Sequence, residues 1–374
     1  MPSVWRSTLQ INKNWKTNWT LQAEAMYYIN TNEINFLNVN IIPPKDQLIG
    51  SDNRFVYTTI NGGKIPILPD SSNPYEQIIL LKNNEQAHGF GYRYGIQIKK
   101  ETKFETFTIG YAYGESYSVF DGNYTVLINQ WRLNESVNGR NNIELARSDF
   151  SPGHRLNALF MKDWLYSNKK KKISLSIIYN GYSGTAFSYV YGKKSLVRDD
   201  INSTGYELIY IPTSDELSKQ IFEPIIAADY YYTGDQQKEA LEWYIQNNIY
   251  LNSRRGNYAE RNGSRTPFTN RIDLKINTYT GFELNKRKYG ISFSIELFNL
   301  GNLINSEWGK NYTVVGNRYR LIDFMGFINE NQLIPTFNFN PILLQQKPWQ
   351  EQISRLPSIS REWLIQAGFR INFY

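Results

Sequence analysis

The stretch REWLIQAGFRINFY, Arg361 to Tyr374, decides the fold. Trp363, Ile365, Ala367, Phe369, Ile371 and Phe373 share one parity, and Leu364, Gln366, Gly368, Arg370 and Asn372 the other. A period of two is that of a strand with one apolar and one wet face. The apolar side is about ten residues long, enough for a tilted strand to cross the hydrocarbon layer of a bilayer.

Working back, the same unit recurs. Trp5 to Ile11 alternates, turns at Lys13 to Asn18, and returns through Trp19 to Ile29. Phe90 to Ile98 turns at Glu101 to Lys103 into Phe107 to Tyr113. Phe150 to Leu165 passes a basic turn, Ser167 to Lys172, into Ile173 to Tyr179. Ile272 to Thr278 turns at Asn285 to Lys288 into Tyr289 to Leu297. About nine strands result, in hairpins. Short turns alternate with long connections near Asn30 to Asn84, Tyr117 to Arg147, Val190 to Arg265 and Asn302 to Ser360. The first of these holds Gly62-Gly63 and a short strand at Tyr75 to Leu81; the third holds a short helix over Gln236 to Gln246. Connections this long are expected to be functional or mobile. Short turns on one side and long loops on the other are the pattern of an outer-membrane barrel.

Composition agrees with that class. Of 374 residues, 41% are hydrophobic and 15% aromatic, with 28 Tyr, 20 Phe and 9 Trp. Mean hydropathy is −0.51, and no run approaches the ~18 apolar residues of a membrane-spanning helix. The absence of cysteine excludes disulfides and thiolate metal sites. A net charge of +7 is spread along the chain apart from Lys169 to Lys172, which argues against nucleic acid as a partner. MPSVWRSTLQI lacks the basic and apolar regions of a secretory signal, so targeting sequence is expected upstream of Met1.

Five ordered segments narrow the reading: SDFSPGHRLNALF (Ser148 to Phe160), NGYSGTAFSYVYG (Asn180 to Gly192), ELIYIP (Glu207 to Pro212), YLNSRRGNYAERNGSRTPFTNRIDL (Tyr250 to Leu274) and FNLGNLINSEWG (Phe298 to Gly309). Together they resemble the barrel of Oar-like TonB-dependent receptors of Bacteroidetes-type bacteria, from about Pro2 to the end. The resemblance implies an all-β antiparallel transmembrane β-barrel segment over residues 1–374, the C-terminal part of a barrel of about 22 strands. The family's plug, regulatory-like domain and TonB box have no counterpart in the motifs of residues 1–374, and a plug is expected upstream or as a separate chain. The implied function is binding and import of a bulky solute without catalysis. Implied partners are outer-membrane lipid, a plug domain and, through it, a TonB-type energy-coupling complex; a surface lipoprotein is a further candidate. An assembly subunit of the envelope without import is the first rival reading.

Individual residues supply the candidate sites. Arg6, Glu24, Arg93, Lys99, Arg155, Arg271, Asp273, Lys275, Glu296 and Arg370 take the wet parity. On the lipid face an Arg or Lys would cost roughly 2–4 kcal/mol at mid-depth, so these are expected inside, against a plug or a passing solute. Arg93 and Arg155 are taken from this set as solute-binding candidates. In the loops, Arg254, Arg255, Tyr258 and Arg261, with Glu260 and Arg265, combine cations with an aromatic ring, fitting either a polar ligand site or a loop core. Tyr230, Tyr231 and Tyr232 offer stacking surface. Ser151 and His154 carry the second rival reading, a membrane hydrolase, which needs them within hydrogen-bond reach of each other. Asp199-Asp200 and Glu330 lack the oxygen spacing of a calcium loop, and Gly89, Gly91 and Gly95 lack the helix of a phosphate cradle. No catalytic group, metal or cofactor is expected.

Overall fold

The computed structural model describes residues 2–57, 77–84, 87–167, 170–200, 206–227, 230–329, 332–351 and 362–373. Gly62-Gly63, Tyr75, Lys169, Glu330, Arg361 and the two chain ends lie outside the described residues.

Alternating side chains give nine long strands: β1 (Ser3–Asn14), β2 (Trp19–Asn38), β3 (Phe90–Glu101), β4 (Glu105–Ser118), β5 (Gly153–Tyr166), β6 (Lys171–Tyr182), β7 (Thr269–Leu284), β8 (Arg287–Phe298) and β9 (Leu364–Phe373). They pair in chain order, each antiparallel to the next. Residues in left-handed backbone make the reversals, among them Asn18 (φ 64°), Ser167 (φ 48°), Asn285 (φ 53°) and Lys286 (φ 63°). The helix expected over Gln236 to Gln246 is present as Gly234–Gln246, opened by a capping box between Thr233 and Gln236. The strand expected at Tyr75 to Leu81 is described over Ile79–Asn84, paired with the far end of β2.

Register carries each parity from strand to strand. Phe107, Phe160, Ile177, Leu274, Leu297 and Ile365 lie opposite one another across β4 to β9. On the other face Asn12, Gln22, Gln97, Gly110, Asn157, Asn180 and Arg271 form a row across β1 to β7. A slip of one residue in any pair would mix the two faces. The apolar face is nevertheless uncovered: Leu9 is 65% exposed, Ile96 48%, Phe293 44% and Phe369 66%. Among the described residues the sheet does not close on itself, and β1 and β9 are its two edges.

The hydrophobic core lies elsewhere. Both clusters of buried apolar side chains are built by the long connections, and of their buried members only Phe36 belongs to the nine strands. The larger cluster draws Leu48 and Val56 from the first connection, Val137 from the second, Phe187 to Tyr191 from the third, and Leu321, Ile322 and Phe324 from the fourth. A five-stranded sheet knits the last two together: Ala186–Lys193 runs parallel to Arg318–Phe327, which pairs with Pro335–Asn338. Tyr57 N donates to Val197 O at 2.9 Å, tying in the first connection, and Leu208 N donates to Ser136 O at 3.0 Å, tying in the second. The long connections thus fold together as one canopy at the end of the sheet opposite the hairpin turns. Their aliphatic and aromatic runs cover one another.

Candidate functional site

Where the canopy meets the upper ends of the strands, a cavity of about 400 Å³ opens. Its lining combines Tyr117 at the end of β4, Glu135, Glu144 and Arg147 from the second connection, and Arg254, Tyr258, Glu260 and Arg261 from the third. Three of the four loop candidates therefore come together.

Arg261 is 4% exposed. Its guanidinium donates to the carbonyls of Ser118 and Val119, fastening the third connection to the top of β4. Its Nε has no partner among the described residues. The next residue, Asn262, is held in left-handed backbone (φ 57°) while its amide donates to Arg147 O at 2.9 Å and to Asp149 Oδ1 at 2.7 Å. Arg254 is spanned between Glu260 Oε1 (2.7 Å) and Tyr258 O (2.9 Å).

Tyr258 is clamped from behind. The Arg54 guanidinium lies 5.0 Å from its ring centroid and 5.2 Å from that of Tyr191, and is itself completely buried against Asp52 at 2.8 Å. Burial, with the Asp52 carboxylate adding to it, pushes the Tyr258 hydroxyl up to about 12. It stays protonated and donates to Asn53 Oδ1 at 3.3 Å. Glu135 is almost fully buried and paired with Arg318 at 2.5 Å; burial raises its carboxyl above the ordinary range, against the pull of Arg318 and Arg261.

Arg255 points elsewhere. It grips Glu242 through two hydrogen bonds of 3.0 and 2.7 Å, locking helix Gly234–Gln246 to the chain that follows it. Tyr230 to Tyr232 are also not part of the cavity lining: Tyr231–Tyr232 pairs with Ile225–Ile226 in a small hairpin, with the Tyr230 and Tyr232 rings 5.4 Å apart and Tyr231 57% exposed. Arg93 and Arg155 sit on the wet face of the large sheet, in the linings of two further cavities of about 190 and 450 Å³.

Ser151 and His154 have different partners. The Ser151 hydroxyl donates to Glu115, whose carboxylate also receives Arg147 and Arg265. His154 Nδ1 shares a 2.7 Å hydrogen bond with the Tyr111 hydroxyl, and its ring lies 4.6 Å from that of Tyr113. No hydrogen bond joins the two among the described residues. Asp199 and Asp200 are occupied by Arg140 and Arg132. Gly91 has a steric role: a Cβ there would stand 2.4 Å from the Tyr28 ring. A Cβ at Gly95 would make only ordinary contacts, the nearest with Tyr111 O at 3.9 Å.

Sequence reading missed the Glu115, Arg147, Arg265 and Ser151 cluster and the Arg54 clamp. Each joins residues far apart in the chain, so no local spacing could have announced them. Compared with family models, curated proteins and solved structures, the chain matches none.

Proposed function

We propose that this chain forms part of the wall and the outer canopy of an outer-membrane receptor that captures a bulky polar solute and admits it to the barrel lumen. The observation that carries the reading is the face of nine in-register strands whose Trp, Tyr, Phe and Ile side chains are exposed while every short turn lies at one end. A continuous apolar face far larger than the few hundred Å² tolerated in water needs a nonaqueous cover, and a bilayer supplies one. The resemblance of the ordered motifs to those of Oar-like TonB-dependent receptors supports the same reading, as does the polar row on the opposite face.

In this reading the two sheet edges are paired in the membrane, because unpaired backbone groups are too costly in hydrocarbon. As first and ninth of an antiparallel series, β1 and β9 run the same way. Antiparallel closure therefore takes an odd number of additional strands. Import is driven through a plug by a TonB-type complex, and the canopy cavity provides first capture. A role as an assembly subunit without import is favoured by one observation, the exposed Ile226, Tyr231, Trp243 and Ile249 on the canopy.

Membrane fractionation with gel mobility tests the proposal. The protein should sediment with the outer membrane and migrate differently on a denaturing gel before and after boiling. Recovery in the soluble fraction with no heat-dependent shift would contradict it.

A further inference from the structure

Five of the seven wet-face cations divide into two groups; Arg6 and Arg370 stand apart on the edge strands β1 and β9. Lys99, Arg271 and Lys275 each face a carboxylate of their own, Glu101, Asp273 (3.0 Å) and Glu296 (2.5 Å) respectively. Arg93 and Arg155 have neither an ion pair nor a side-chain hydrogen bond among the described residues, and they line cavities that share Asn157. Glu24 lines the same cavity as Arg93 without pairing to it.

Register places the two arginines on either side of one strand. Arg93 on β3 lies opposite Gly114 of β4, and Arg155 on β5 lies opposite Ala112. Two strand spacings across and two residues along put their Cα atoms roughly 12 Å apart. Between them β4 presents only Gly110, Ala112 and Gly114 to the wet face, so no long side chain separates the two guanidinium groups. Asn157 and Gln97 flank the gap with amide donors.

From this arrangement we infer that Arg93 and Arg155 form a two-pronged oxyanion subsite on the wet wall, selecting solutes that carry carboxylate or phosphate groups. The inference rests on the proposal above that this face bounds an enclosed aqueous space. Paired arginines suit such groups because each planar guanidinium offers two parallel N–H donors. Glu24, which lines the Arg93 cavity and has no ion pair among the described residues, sets an upper limit on the negative charge the subsite accepts.

Isothermal titration of the full chain in detergent micelles with citrate, with glycerol 2-phosphate and with uncharged glycerol tests the subsite. Citrate or glycerol 2-phosphate, whichever carries the preferred oxyanion, should bind saturably and glycerol should not. Arg93→Gln and Arg155→Gln should each weaken that binding at least about tenfold, and the lysine variants less. Ala112→Leu, which fills the gap and leaves both charges, should also abolish it, whereas Glu24→Gln should tighten it. Binding of neither anion, or binding indifferent to both arginines, would overturn the subsite. The same preparations, mixed with liposomes and floated on a density gradient, report membrane insertion separately. Insertion without arginine-dependent binding defeats the subsite alone; arginine-dependent binding without insertion upholds the subsite and defeats the membrane reading.

Discussion

At the scale of single residues, Arg261 decides how the canopy is fastened. Its two carbonyl acceptors belong to Ser118 and Val119, 143 and 142 residues away in sequence. Substitution by Met keeps the buried stem but orphans both carbonyls, each worth roughly 1–3 kcal/mol. Arg261→Met should therefore lower the canopy's unfolding temperature and speed its proteolysis, while Arg254→Gln, whose partner Glu260 is 56% exposed, should change stability by under about 1 kcal/mol. Limited proteolysis and differential scanning calorimetry on the two variants check the contrast.

Glu207 offers a pH test. Burial raises its carboxyl, Arg140 opposes and Asp199 reinforces the shift, while Ser195 donates a hydrogen bond to it. A raised folded value means the stabilising contribution is complete below the unfolded value near ~4.3 and is lost as pH rises through the folded one. Glu207→Gln removes the charge but keeps the volume. Its unfolding temperature should accordingly exceed that of the parent chain at pH 8, by the equivalent of about 1 kcal/mol, and the gap should shrink toward pH 4. An equal gap at both values would show that the charge is not the cause.

At the scale of elements, the strands were legible and the canopy was not. Period two is local: Trp5 to Ile11 or Tyr289 to Leu297 states its two faces without reference to any neighbour, and a short polar turn fixes which strand comes next. The canopy's pairings are long-range. The parallel match of Ala186–Lys193 with Arg318–Phe327 spans more than a hundred residues and follows from shared burial, which leaves no spacing to read. The cluster from Arg254 to Arg261 was visible as a group, but the division of labour within it was not. Arg255 serves a helix and Arg261 anchors β4, while Arg254, Tyr258 and Glu260 line the cavity beside it.

The tightest hairpin gives the prediction for this scale. Asn285 and Lys286 both hold positive φ, which asparagine tolerates and lysine does not. Lys286→Gly should stabilise the β7–β8 hairpin by up to about 1 kcal/mol, seen as slower hydrogen exchange at Leu284 and Arg287. Unchanged or faster exchange would mean that the lysine is not strained there.

At the scale of the whole molecule, the buried apolar core and the exposed apolar face belong to different parts. The canopy carries both hydrophobic clusters and the buried ion pairs of Arg54, Arg140 and Glu135, so it is stabilised as a soluble domain is. The large sheet has no such interior, and its stability depends on backbone ladders and on whatever covers its apolar face. Without a bilayer or detergent that face should drive aggregation, since it joins long exposed strands to two open edges.

The most direct measurement is the environment of the two parities. The chain has no cysteine, so single cysteines placed at Ile96, Gln97, Phe293 and Ser294 can each carry a nitroxide label without background. In reconstituted bilayers, labels at positions 96 and 293 should relax with oxygen dissolved in lipid, and those at 97 and 294 with a water-soluble nickel chelate. Labels at 96 and 293 that respond to neither agent, packed against protein, or all four responding to the chelate alone, would contradict the membrane-facing sheet.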